Sequence, residues 1–125
     1  MAFIAETLAE HVVRVTFDWI SSDTVHEIKR GVLDTIGCSL GGMCMNKGKS
    51  AIALAQKMGG PPQSTVIGVG AKVAPANAGW ANAETANAQD WSAGCAFHDV
   101  PIVVCAALAA AESVGASGKE LLTAV

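Results

Sequence analysis

The chain has 125 residues, of which 51% are hydrophobic and 15% are charged, and its formal net charge is −3. A chain of this length and apolar content can bury its own core, so we expect a folded domain and not a tail or linker. Its eight lysines and arginines form no run, which excludes the clustered cations that bind a phosphate backbone. The longest apolar run, from 101 to 111, is too short to cross a bilayer, and no secretory leader pattern opens the chain. We therefore expect a cytoplasmic protein that binds neither nucleic acid nor membrane.

The first part of the chain is predicted to form three helices. Apolar residues recur at helical spacing from Ile4 to Val15, which indicates an amphipathic helix. A second apolar stripe from Val25 to Leu40 ends at two glycines, and N-cap candidates precede it. These candidates are Ser22, Asp23 and the Thr24/Glu27 pair. A third helix is expected over 50–58, because the Gly-Gly-Pro-Pro sequence that follows cannot continue it.

The second part predicts a short β-hairpin followed by further helices. The β-branched residues at 64–73 favour the hairpin. A helix from Pro75 to about Gln89 follows, then an entirely apolar, central helix over 100–114, and Ser117 with Glu120 has the spacing of a capping box. The fold class is therefore mainly α, a helical-bundle-like domain with a possible hairpin.

Polar residues in the Pro75–Gln89 helix and thiols elsewhere are the first candidates for chemistry. Asn77, Asn82 and Asn87 are unusual in a helix, because asparagine side chains compete for backbone hydrogen bonds. They indicate buried polar contacts or a functional site. The alternative is that they lie on a face of the helix exposed to solvent. The four cysteines lack the close-pair spacing of a zinc or redox motif, and apolar neighbours favour buried thiols for Cys38 and Cys105. The three histidines are too dispersed to form a metal site, so we expect neither metal nor cofactor.

Asp90 and His98 flank one short loop between two predicted helices. A carboxylate and an imidazole on such a loop can converge on a ligand. His98 also precedes a predicted helix N-terminus, where the helix dipole favours a bound anion and disfavours an extra proton on the imidazole. A neutral imidazole in this position can accept or donate a proton at physiological pH. A histidine that only caps or packs would have the same spacing.

Four stretches of the sequence together resemble the N-terminal part of the MmgE/PrpD family, which includes 2-methylcitrate dehydratase and cis-aconitate decarboxylase. They are Leu33-Asp-Thr-Ile-Gly-Cys-Ser-Leu-Gly-Gly42, Gly59-Gly-Pro-Pro-Gln-Ser-Thr-Val-Ile-Gly68, 82–90, and His98 through Leu122. The resemblance implies an MmgE/PrpD-type helical domain, complete at 1–125 or continued by missing residues or another chain. It covers nearly this whole chain but only the first quarter or third of such a protein.

The resemblance also implies roles for individual residues. Asp90 matches the first Asp of the family's Ala-Leu-Asp-Phe/Tyr-Asp-Asp motif and His98 matches an active-site His, so both are expected to be catalytic. Asn87 stands where the family commonly has His, Ser92 and Ala93 replace the following Asp pair, and Asp99 replaces Pro. Asn87, Ser92 and Asp99 are the expected substrate contacts, although Asp99 is equally suited to be an N-cap.

The resemblance implies that the chain is the N-terminal portion or the small subunit of a cofactor-independent lyase. Such an enzyme would dehydrate or decarboxylate a small carboxylic acid. An isomerase or epimerase of the same family is the enzymatic alternative, and a noncatalytic helical interaction module is the other. The chain stops within its last predicted helix, so we expect a second polypeptide or a homo-oligomer to complete it. We expect the chain alone to be inactive, and to self-associate through exposed Leu121 and Leu122.

Overall fold

The computed structural model describes residues 3–91 and 99–125. These residues form six α-helices and one small antiparallel sheet, so the prediction of a mainly α fold with a short hairpin is confirmed. The helices are α1 (Ile4–Arg14), α2 (Ser22–Gly42), α3 (Asn46–Met58), α4 (Pro75–Ala86), α5 (Asp99–Val114) and α6 (Gly118–Ala124). The strands are β1 (Ser64–Thr65) and β2 (Lys72–Val73), and 3₁₀ turns cover Phe17–Trp19 and Asn87–Gln89.

Helix ends follow local capping chemistry where the partners are close in sequence. Ser117 accepts the Glu120 N–H and the Glu120 side chain accepts the Ser117 N–H, which confirms the predicted capping box of α6. The predicted N-cap of α2 was wrong by one residue or more, since the Ser21 hydroxyl accepts the Thr24 N–H at 3.1 Å. Serine caps a helix at either position, so composition alone could not choose between them.

Helix α3 begins at Asn46, four residues before its predicted start at 50. Its first turn crosses the end of α2 so closely that a Cβ on Gly48 would overlap the Gly42 carbonyl oxygen. This close approach of the first turn of α3 to α2 requires a glycine at position 48, and the local pattern around 46–50 does not show it.

The core lies around α4, which packs against α2, α3 and α5. Small side chains fill most of it, so the helices approach one another closely, and the hairpin contributes Val66 and Val73. The other buried apolar residues are Ala51, Ile52, Ala55, Ala78, Ala81, Ala86, Val104, Cys105 and Ala109.

The hairpin is attached to α5 by hydrogen bonds and an ion pair. Strand β1 pairs with β2 so that Ser64 opposes Val73 and Thr65 opposes Lys72. The Ser64 hydroxyl donates to the Ala109 carbonyl at 2.6 Å, while the Glu112 carboxylate accepts the Thr65 N–H at 2.6 Å and lies 2.8 Å from Lys72 Nζ. Desolvation raises the pKa of Glu112, but the hydrogen bonds from Lys72 and Thr65 outweigh it, so the net pKa is lowered.

Two helices expose apolar faces in the part of the chain that the structure describes. Helix α5 buries Val104 and Cys105 but leaves Ile102 and Val103 exposed, so the predicted central helix is covered on one side only. Helix α1 buries no residue at all. Leu121 and Leu122 were predicted to be exposed, but both side chains are half-buried. None of the described helices is long and apolar enough to cross a membrane.

Candidate functional site

The first two asparagines of α4 hold backbone groups in place. Asn82 is only 2% exposed, and its amide accepts the Ile67 N–H at 2.9 Å and donates to the Thr65 carbonyl at 3.0 Å. The Asn77 amide donates to the Gly59 carbonyl at 3.1 Å. Asn82 therefore fulfils the prediction of buried polar contacts. It fixes the hairpin to α4, and Asn77 fixes the loop before the hairpin.

The end of α4 has a different geometry. The helix passes without a linker into the 3₁₀ turn Asn87–Gln89, and the Asp90 N–H donates to the Asn87 carbonyl at 3.2 Å to close that turn. Asp90 has φ 53° and ψ 34°, and it is the only non-glycine residue with positive φ among those the structure describes. Aspartate tolerates this left-handed conformation better than most residues, yet glycine would adopt it at lower cost.

Asn87 lies at the start of the same turn. Its Oδ1 is buried, and no residue that the structure describes donates a hydrogen bond to it. A buried acceptor without a donor costs about 1–3 kcal/mol, so a donor from a ligand or from another segment would stabilise this arrangement. The structure thus brings Asn87 and the exposed Asp90 to one 3₁₀ turn, where the sequence predicted the end of an α-helix.

The remaining predicted site residues stay predictions. His98 and Ser92 lie outside the described residues. Asp99 is the first residue of α5, and only its backbone is described. The N-cap prediction for Asp99 was wrong by one residue, because an N-cap precedes the helix and Asp99 already belongs to it, whereas its contact with substrate stays a prediction.

One buried hydroxyl group connects α4 to α2. The hydrogen of the Ser39 hydroxyl is shared between the Asn82 carbonyl of α4, at 3.3 Å, and the Thr35 carbonyl of its own helix, at 2.9 Å. Within α4, the Thr85 hydroxyl donates to the Asn82 carbonyl at 2.9 Å. Sequence reasoning did not assign a role to these residues. The only signal for them was the presence of small polar residues on the buried faces of two predicted helices.

The thiols differ in accessibility, and the described residues offer no group of three side chains that could hold a metal ion. Burial raises the pKa of Cys105 to about 12, which confirms the prediction of a buried thiol there. The same prediction was wrong for Cys38, which is only half-buried; burial and then the Asp34 carboxylate raise its pKa. Cys44 is exposed.

Comparison with known proteins gives one match. The model of the MmgE/PrpD N-terminal domain matches residues 6–125. No curated protein and no solved structure matches the chain. The family match covers the helices, the hairpin, and the turn that carries Asn87 and Asp90, and it agrees with the resemblance found in the sequence motifs. The chain belongs to the MmgE/PrpD family, and the part of the family that it matches is the N-terminal domain.

Proposed function

We propose that this chain is the N-terminal portion or small subunit of a cofactor-independent lyase that acts on a small carboxylic acid. Family membership supports a dehydratase-like or lyase-like protein. The observation that carries the site assignment is the left-handed, exposed Asp90 at the end of α4. A residue held in a costly backbone conformation often marks a functional site, because selection retains it for what its side chain does.

The proposed chemistry is proton transfer at a carbon near a carboxylate. In a dehydration, a base removes the proton from one carbon while an acid protonates the departing hydroxyl group. In a decarboxylation, carbon dioxide leaves and an acid protonates the resulting carbanion. His98 suits the role of general acid or base, and Asp90 would orient the substrate or accept a hydrogen bond from it. Asn87, Ser92 and Asp99 are the proposed contacts to the substrate's hydroxyl and carboxylate groups.

Two alternatives use the same residues differently. An isomerase or epimerase would remove and return a proton with no leaving group, so product analysis distinguishes it from a lyase. A noncatalytic helical module is favoured by the replacement of two acidic motif positions by Ser92 and Ala93. The uncovered apolar faces of α1 and α5 also favour an interaction role.

Those faces support a proposed partner as well. Val12 on α1 is 69% exposed and Ile102 on α5 is 56% exposed, which is unusual for large apolar side chains on regular helices. We propose that a second polypeptide or another copy of this chain covers them and completes the catalytic site in the cytoplasm.

Variants at the two proposed catalytic positions test the function. The purified protein, with any copurifying polypeptide, would be incubated with short di- and tricarboxylic acids, and products would be identified by mass spectrometry. We expect His98→Ala to lower turnover by about a hundredfold or more, as for loss of a positioned proton-transfer group. Asp90→Asn should act in the same direction.

Asp18→Asn is the matched control, since Asp18 is an exposed aspartate in the other 3₁₀ turn of the described chain. It should leave turnover unchanged. Wild-type turnover in the His98 variant, with the assembly intact by size-exclusion chromatography, would replace the lyase proposal with the noncatalytic one.

A further inference from the structure

Two glycines at the end of α2 touch the chain segment that carries Asp90. Gly42 is buried, and a Cβ there would overlap the Thr85 carbonyl oxygen and lie 3.1 Å from the Ala88 Cβ. A Cβ on Gly41 would overlap Nε2 of Gln89. The last turn of α4 therefore lies directly on the backbone of Gly42, at a distance that no other residue type permits at that position. A side chain at position 41 would displace only the end of the Gln89 side chain.

Gly42 is also in close contact with helix α3. Gly48, at the start of α3, approaches the Gly42 carbonyl so closely that a Cβ would overlap it. The end of α2 is thus enclosed between α3 and α4, and it cannot shift toward either one. One helical turn earlier, the hydrogen bond from Ser39 to the Asn82 carbonyl fixes α2 against α4.

We propose that Gly41 and Gly42 are positioning residues for the candidate site, because their contact with the segment 85–89 sets the direction in which Asp90 leaves its turn. Asp90 directly follows Gln89, and its own N–H closes the turn on Asn87. A shift of this segment away from α2 would therefore move the Asp90 carboxylate. The catalytic consequence depends on the proposed function of Asp90, whereas the effect on the turn does not.

Alanine substitutions in one helix test the proposal, and α2 provides its own control. The new Cβ in Gly42→Ala would overlap a backbone carbonyl, and the one in Gly41→Ala would overlap the end of a flexible side chain. The new Cβ in Gly37→Ala would have no atom within 4 Å. Hydrogen–deuterium exchange of peptides covering 85–91 would be followed by mass spectrometry in the purified protein, with any copurifying polypeptide.

We expect exchange in 85–91 to rise about tenfold in Gly42→Ala and by a smaller factor in Gly41→Ala. Gly37→Ala should slow exchange or leave it unchanged, since alanine is the better helix former. Peptides from the hairpin should exchange as in the wild type, which separates a local displacement from general destabilisation. Unchanged exchange in 85–91 in both Gly41 and Gly42 variants would overturn the proposal.

A second variant keeps the test decisive if Gly42→Ala does not fold. Gln89→Ala removes the group that a Cβ at position 41 would meet. The double variant Gly41→Ala/Gln89→Ala should therefore show the same exchange in 85–91 as the single variant Gln89→Ala. Failure of this rescue would contradict the steric explanation. In turnover assays normalised to folded protein, Gly41→Ala should lower kcat more than it raises KM, as expected when a reacting group is misplaced.

These experiments separate the two proposals. Turnover unaffected by Asp90→Asn would contradict the proposed function. A rise in exchange confined to 85–91 in the Gly42 variant would still show that the glycines position the turn. Exchange that rises equally throughout the helices would show instead that the glycines are needed only for packing.

Discussion

The body of α4 and the turn that follows it use similar polar residues in different ways. Within the helix, the amides of Asn77 and Asn82 hydrogen-bond to the backbone of Gly59 and of the hairpin. In the turn, Asn87 has a buried acceptor that no described residue satisfies, and Asp90 has a left-handed backbone. Local rules of stability are thus obeyed in the helix and broken in the turn, which is the pattern expected where a structural region adjoins a functional one.

The largest effect on stability should come from Asn82. Asn82→Ala removes two hydrogen bonds and leaves the Ile67 N–H and Thr65 carbonyl without this partner, so we expect the free energy of unfolding to fall by about 3 kcal/mol. Asn77→Ala removes one half-buried hydrogen bond and should cost about 1 kcal/mol. Chemical denaturation measures both values.

Asn87→Ala provides the matched comparison in the turn that follows the helix. It removes a buried acceptor that has no donor among the described residues, so stability should be unchanged or slightly increased. A loss as large as that of Asn82→Ala would mean that Asn87 has a structural hydrogen bond, and the contrast between the helix and the turn would disappear.

The smallest loss of stability among these variants should come from the ion pair that links the hairpin to α5. Because the pKa of Glu112 is lowered in the folded state, its contribution is present above the ordinary value of 4.5 and is lost as pH falls through the folded-state pKa. The Glu112 and Lys72 side chains are 35% and 49% exposed, so solvent screening limits this contribution to less than about 1 kcal/mol.

Denaturation of wild type and Glu112→Gln at about pH 7 and about pH 3 tests this expectation. The variant should be less stable than the wild type at the higher pH, and the difference should vanish at the lower one. A difference that grows on acidification would contradict the assigned direction of the pKa shift.

Features that depend on neighbouring residues could be predicted from the sequence. The Ser117–Glu120 capping box lies within one helical turn, and the hairpin strands are marked by their β-branched residues, so both predictions were correct. The start of α3 was missed, and its first turn packs against the Gly42 carbonyl of α2, a contact between residues of two helices. Sequence periodicity carries no information about such close approaches.

The candidate site shows the same limit. The motif resemblance identified Asp90 and Asn87, and the structure places them at one turn. The two roles of the asparagines could not be separated in advance, since the partners of Asn82 lie 15 and 17 residues away in the sequence. Nor does an aspartate in a sequence indicate its backbone conformation, since aspartate occurs far more often with negative φ.

The most direct test of the central claim is to measure stability and turnover together for Asp90→Gly. Glycine adopts the left-handed conformation without steric cost, so the free energy of unfolding should stay unchanged or rise by up to about 1 kcal/mol. Turnover should nevertheless fall by about a hundredfold, because the carboxylate is lost. A variant that keeps wild-type turnover would show that Asp90 only ends a helix, and would contradict the assignment of this turn as the active site.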